Sequence, residues 1–324
     1  MYLIDRMVKH NNHKLKKVFN HLLPEYQYLD LVKDILDNGI TRKTRNGYVH
    51  SKFGVQMRFD LRGNTMPILT SKKMAWKTCL RELLWFMRGH TDNRWLNKRN
   101  VHIWDANANT KTNANTNSSD KGSNTLLKEF DLGPIYGHQW RSFNTKYDGC
   151  KDYTERYNKY DSKGVDQLQN IINMLRDKED RYSRRMIMTA WNPEQLDEMK
   201  LPPCHVLTQF WVNDKDELYC SLYQRSGDVG LGIPFNIASY SFLTHILAKH
   251  TGLKSGEFVH TIGDAHIYDD HVFQLSSQLK NKLYYFPTIE IKNTYENIDE
   301  YDEKDIKILN YQYDNKEVNL NMIV

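Results

Sequence analysis

The chain has 324 residues, 40% of them hydrophobic and 12% aromatic, enough to bury one large core or two ordinary ones. No apolar run approaches the roughly 18 residues that a membrane helix requires, which predicts a soluble protein with no membrane partner. A net charge of +5 suits an anionic substrate or weak nucleic-acid contact and selects neither.

Taken in chain order, residues 1–24 are basic and poorly patterned and read as an N-terminal extension. They lack an apolar signal core, so a cytosolic or nuclear compartment is expected rather than export. Glu25 to Asp37 places Tyr28, Leu31, Ile35 and Leu36 on one side and predicts a helix. Met74 to Met87 reads as a buried helix with two apolar faces. Residues 107–130, rich in Asn, Thr, Ser and Lys over Asn107 to Ser123, read as a polar surface insertion, and Lys146 to Lys163 as a second surface loop. A helix is predicted from Gly164 to Arg176. Strands are predicted at Met186 to Ala190, Val206 to Val212 and Leu218 to Tyr223, the last two forming a hairpin through Asn213 to Glu217. Phe235 to His250 is apolar on several sides, and Gly252 stands where a helix cap would fall. The pattern predicts one α+β domain over residues 25–324, with a large central mixed or antiparallel sheet packed by helices.

The four cysteines, Cys79, Cys150, Cys204 and Cys220, show neither paired spacing nor a Cys-x-x-Cys. Reduced thiols and no metal site are expected. Cys204 stands out because Pro202 and Pro203 stiffen the backbone directly before it and a strand follows. A thiol at such a corner, with Arg225 within reach, is a candidate nucleophile, since a nearby cation favours the thiolate. The alternative is a structural cysteine packed in the core. Glu82 falls among Cys79, Leu83, Trp85 and Phe86 on the buried helix. Burial would raise its pKa toward neutrality and suit it to proton transfer. It could instead snorkel or pair with Arg81 or Arg88.

Arg45, Arg184, Arg185 and Arg225 could converge on one dianion, because a guanidinium fork matches phosphate oxygens. If Arg184 and Arg185 were on a strand they would point to opposite faces, leaving one solvated. Asn236, just after Pro234 and Phe235, reads most simply as a helix N-cap. Its carboxamide also offers the donor and acceptor that would pair with a uracil edge. His266 and Tyr268 lie two apart on a probable strand and share a face that could hold a sugar hydroxyl.

Six further runs accompany these residues in order: Leu83-Leu84-Trp85-Phe86, Ile103-Trp104-Asp105, Asp131 to Gly137, Arg184-Arg185, Ala190 to Pro193 and Gly263 to Tyr268. Together they resemble thymidylate synthase from about Glu25 to Val324. The resemblance implies reductive methylation of dUMP to dTMP, with 5,10-methylenetetrahydrofolate giving both carbon and hydride and leaving as dihydrofolate. It implies that Cys204 adds to C6 of dUMP and that Glu82, Tyr136 and His205 serve the proton transfers. Asn236 would select uracil, and Arg45, Gln224, Arg225, Ser226, His266 and Tyr268 would hold the nucleotide. Arg184 and Arg185 would reach in from a second copy across a sheet-face dimer. Asp228 would bind the pterin, and Ile103, Trp104, Leu201, Gly232, Phe235 and the terminal Val324 would enclose the folate.

Two departures from the family pattern stand out. The arginine loop reads Arg45-Asn46-Gly47-Tyr48-Val49, one glycine fewer than usual, and Asp92 replaces the usual Asn. The start at Glu25 is also similar to the synthase half of fused reductase–synthase proteins, which leaves a dihydrofolate reductase partner or fusion open. A dUMP hydroxymethylase would use the same thiolate and folate, with water in place of hydride. A nucleic-acid-binding protein that has kept the fold is the rival from another class, and the chain lacks the interleaved stacking aromatics it would need.

Overall fold

The computed structural model describes residues 23–109, 129–150 and 164–322. The expectations for residues 1–22, for the insertion over 110–128, for the loop over 151–163 and for Ile323 and Val324 lie outside these residues.

Helix α1 (Tyr26–Asn38) buries Tyr28, Leu31, Val32 and Ile35, the one-sided spacing of its sequence. Its start is tied down by Glu25, whose carboxylate accepts from the Thr70 N–H at 2.7 Å and the Ser71 N–H at 2.9 Å. Its end is set by Gly39, where a Cβ would meet the Ile35 carbonyl at 2.4 Å. A hairpin follows, β1 (Ile40–Thr44) and β2 (Gly47–Asp60), turned by Arg45 and Asn46. Helix α2 (Trp76–Met87) buries every residue from Glu82 to Met87. A carboxyl at position 82 therefore has no route to water along the helix surface.

Short helices α3 (Asn93–Asn97), α4 (Asp105–Asn109) and α5 (Tyr136–Ser142) lead to α6 (Gln167–Arg176). Helix α6 begins three residues later than Gly164, because the Asp166 side chain caps it by accepting from the Gln169 N–H. Strand β3 (Ile187–Thr189) is shorter than expected, and β4 (His205–Val212) and β5 (Glu217–Asp228) form the predicted hairpin. Strand β5 runs five residues past Tyr223, so the polar run Gln224–Asp228 is strand and not turn. Helix α7 (Gly232–Thr251) starts three residues before Phe235 and stops at Gly252, whose φ of 73° is left-handed. It is apolar all round, which fits a helix buried against α2, β5 and β6.

Strand β6 (Lys254–Tyr268) completes a six-stranded mixed sheet of order β1-β2-β6-β5-β4-β3. Among the described strands only β5 and β6 are parallel, with α7 as their crossover. Helix α8 (Val272–Gln278) and a small pair, β7 (Thr288–Ile291) with β8 (Ile306–Leu309), close the described chain.

The topology brings several of the candidate residues to one rim. Parallel pairing sets Ser226 beside Asp264 and Asp228 beside His266 at the C-terminal ends of β5 and β6. Antiparallel pairing returns His205, at the start of β4, to Gln224. Open α/β sheets place ligands at the carboxyl ends of their parallel strands, and α7 begins four residues beyond Asp228 at this end.

Candidate active site

Cys204 stands half-buried one residue before β4. Its amide N–H donates to Tyr136 Oη at 2.8 Å, and the His205 N–H donates to the same oxygen at 3.3 Å. Its carbonyl accepts from the Arg225 N–H at 2.9 Å. The Arg225 guanidinium grips the corner from the other side, Nε donating to Pro203 O at 2.8 Å and Nη2 to Pro202 O at 3.0 Å. The two prolines thus supply carbonyls that hold the cation beside the thiol.

The sign of the thiol shift differs from the sequence expectation. Burial pushes the Cys204 thiol above its ordinary range, and Arg225 only partly offsets it. The arginine spends its donors on proline carbonyls, and desolvation wins.

Glu82 is buried, as its apolar neighbours on the helix predict. It is 9% exposed, its Oε1 accepts from Trp104 Nε1 at 2.7 Å, and burial lifts its carboxyl from 4.5 to about 7. It pairs with neither Arg81 nor Arg88: Arg81 Nε goes to Glu303 at 2.6 Å, and Arg88 Nη2 to the Tyr301 carbonyl at 2.7 Å. Phe86, Trp104 and Tyr136 enclose the space beside it, with Phe86 and Tyr136 ring centroids 4.7 Å apart. The Tyr136 and His205 rings are 5.0 Å apart, so one aromatic wall links Glu82 to the cysteine corner. Burial raises the Tyr136 phenol further and lowers His205 to about 4, leaving both neutral at physiological pH.

Asn236 is not an N-cap. It is the fifth residue of α7, is buried, and its Oδ1 accepts from Gln224 Nε2 at 2.9 Å. The helix starts earlier than Pro234 because proline is tolerated in a first turn, where its missing N–H has no partner to lose. His266 and Tyr268 share a face, with ring centroids 5.2 Å apart. Asn46 and Arg45 lie near enough to Tyr268 to lower its phenol against the rise that burial causes, which sets the β1–β2 turn near this end of β6.

The strand premise for Arg184 and Arg185 does not hold. Both lie exposed in a turn before β3, where Gln209 Nε2 donates to Arg184 O at 3.3 Å. Among the described residues neither guanidinium is hydrogen-bonded to Cys204 or Arg225, whose own guanidinium is held by the two proline carbonyls. Asp228 ends β5 and accepts from the Gly230 N–H at 2.8 Å. Trp104 is buried, while Ile103, Leu201 and Phe235 are half-buried against the core. Gly232 opens α7, and an added Cβ there would only touch Asn236 at 3.8 Å and Asp228 at 3.9 Å. Asp92 caps α3 and is bound by Arg94 at 2.6 Å, so this departure from the family pattern is satisfied locally. No group of His, Cys, Asp and Glu suited to a metal occurs among the described residues.

Four residues around the site escaped the sequence reading. Buried Lys72 donates to Gly230 O at 2.7 Å, and burial draws it down to about 8. His271 stands 3.5 Å from Asp228 and hydrogen-bonds Asn321 O at 2.8 Å. Tyr240 packs on His205 with ring centroids 5.3 Å apart. His260 contacts Gln224 at 2.8 Å. Only His260 carried a signal, standing at even spacing with Asp264, His266 and Tyr268 along one strand.

Sheet, thiol corner and buried carboxyl define the class: an α+β protein organised around a candidate cysteine nucleophile. The thymidylate synthase family profile matches residues 26–324, so the chain belongs to the thymidylate synthase family. It is 45% identical over 289 residues to the bifunctional dihydrofolate reductase-thymidylate synthase of Leishmania major, covering 89% of this chain and 53% of that protein. The protein of the same name from Zea mays is 42% identical over 308 residues, 95% of this chain and 56% of the relative. That of Plasmodium berghei (strain Anka) is 43% identical over 307 residues, 94% of this chain and 49% of the relative. The chain spans about half the length of these curated relatives.

Proposed function

We propose that this chain converts dUMP to dTMP, with 5,10-methylenetetrahydrofolate as co-substrate and dihydrofolate as co-product. The observation that carries the reading is the Cys204 corner joined, through one aromatic wall, to a Glu82 carboxyl lifted to about 7. The relatives are named as synthases, and nothing in those names favours the hydroxymethylase alternative.

Cys204 Sγ forms a bond to C6 of the pyrimidine, and the C5–C6 π pair moves toward C5 and O4. Burial keeps the thiol protonated in the chain alone, so as the nucleotide binds the thiol gives its proton to solvent water, and the Arg225 guanidinium favours the thiolate that remains. Glu82 holds and returns the migrating proton: Trp104 fixes Oε1, and a pKa near 7 favours transfer in either direction. Arg225, Ser226, His266 and Tyr268 border the phosphate and sugar end, and Arg45 approaches it from the β1–β2 turn. Half-buried Ile103, Leu201 and Phe235, with buried Trp104, offer apolar surface for a flat heteroaromatic ring, and the Asp228 carboxylate an acceptor for its N–H edge. The folate supplies the carbon and the hydride when bound.

A homodimer with shared sites is part of the proposal. Ile187, Trp211 and Tyr223 share one sheet face by register and remain 43%, 48% and 41% exposed. Large side chains left this exposed on one sheet face, even with Gln209 and Ser221 between them, support an interface there. Arg184 and Arg185 project from its edge beside β3, where they can serve the partner's site. A dihydrofolate reductase, fused or separate, is proposed on the relatives' names alone.

The test is mass spectrometry of the nucleotide formed from dUMP and methylenetetrahydrofolate by the full chain and by Cys204→Ala. Thymidylate with one equivalent of dihydrofolate, absent with the variant, supports the reading. A hydroxymethyl nucleotide, or thymidylate from the variant, overturns it.

A further inference from the structure

Behind the base-reading Asn236 lies a hydrogen-bond chain whose donor directions can be assigned from one end. Gln224 Nε2 is 2.9 Å from the carbonyl of Ser226, a group that can only accept. The nitrogen of the Gln224 amide therefore faces Ser226 and Asn236, and its oxygen faces His260 Nε2 at 2.8 Å. His260 must donate from Nε2. Its other nitrogen, Nδ1, is buried with no partner, so a proton moved there would become an orphaned donor. Gln224 in turn donates to Asn236, which fixes Oδ1 as the Asn236 atom that faces it. Burial and the neighbouring His205 hold His260 down to about 3, so the ring is neutral and carries one N–H.

The direction matters because a carboxamide is ambiguous. In one orientation Asn236 offers N–H to a C4 carbonyl and oxygen to an N3–H, which is the uracil edge. Flipped by 180°, it offers oxygen to a C4 amino group and N–H to a bare N3, which is the cytosine edge. Flipping Asn236 alone sets its N–H against Gln224 Nε2, donor against donor. If Gln224 flips with it, two oxygens meet at Ser226 and two donors meet at His260, unless His260 moves its proton to the unpartnered Nδ1.

We infer that His260 is a positioning residue that sets base specificity: its Nε2–H holds the Gln224 amide, and through it the Asn236 amide, in the uracil-reading orientation. The inference rests on the reading of Asn236 as the base-facing group. Removing the His260 donor leaves the Ser226 carbonyl to direct Gln224 and the His205 ring to direct Asn236, so the cytosine-reading flip becomes less costly.

The experiment measures dUMP and dCMP binding to the full chain by calorimetry for wild type, His260→Phe, His260→Gln and Asn236→Asp. His260→Phe is expected to narrow the preference for dUMP about tenfold, with dCMP binding tighter in absolute terms. His260→Gln, which can still donate an N–H, restores most of the preference. A purely structural role would weaken both nucleotides by the same factor, and that result overturns the inference. Asn236→Asp separates the two levels. If it leaves the preference unchanged, Asn236 does not read the base and the inference falls with that reading. If it shifts the preference while His260→Phe does not, the reading stands and the inference alone fails. Should His260→Phe not fold, ¹⁵N NMR of wild-type His260 decides: the Nε2–H tautomer supports the inference, and the Nδ1–H tautomer overturns it.

Discussion

Glu82 and Asp264 are two carboxyls of one site that titrate in opposite directions. Glu82 is enclosed by aromatic rings and has one neutral donor, Trp104, and burial carries it up to about 7. Asp264 is 31% exposed and flanked by the Arg42 guanidinium and the His266 ring, and it is held down to about 2. The difference is one of surroundings: at Glu82, the proposed proton-transfer group, burial is supplied and charge withheld. At the rim of β6 the protein supplies charge instead, with the Arg42 guanidinium paired to Asp264.

The largest effect expected is on the thiol itself. Cys204→Ala should reduce turnover by about 10⁴-fold or more, while dUMP affinity measured by calorimetry changes by less than about threefold. Next comes the buried carboxyl. Glu82→Gln keeps the shape and an acceptor for Trp104 but cannot exchange a proton, and kcat should fall by about 10² to 10⁴ in steady-state assays.

The paired carboxyl should respond differently. Because the folded-state pKa of Asp264 lies below its ordinary 3.8, its stabilisation is fully present above pH 4 and is lost as pH falls toward 2. Asp264→Asn should therefore cost about 1 kcal/mol in denaturant titrations at pH 7, with the gap to wild type closing near pH 2 to 3. The smallest effect is expected from Trp104→Phe. Loss of the donor removes the one hydrogen bond that favours ionised Glu82, so the Glu82-dependent limb of the pH–rate profile should move to higher pH.

The same contrast explains what the sequence could disclose. Glu82 was legible because its neighbours on α2 are apolar on both faces, and burial of that kind is a local property. The β4–β5 hairpin and the Gly252 cap were legible for the same reason. The extension of β5 through Asp228 was not, since it depends on parallel pairing with β6 across the whole of α7. Asn236 looked like a cap because Pro234 marks a helix start, yet the helix absorbs the proline in its first turn and carries Asn236 inward to Gln224. The thiol shift of Cys204 was misjudged because the partners of Arg225 are backbone carbonyls, which no residue pattern records. His260 was overlooked because its role depends on which of its two nitrogens has a partner.

Burial, and not charge pairing, tunes the Glu82 end of the proposed site. A ¹³C NMR titration of the Glu82 carboxyl in the intact chain tests it most directly. A midpoint near 7 is the predicted result, while a midpoint near the ordinary 4.5 would show Glu82 to be ionised and hydrated and would contradict its assignment as the proton-transfer group.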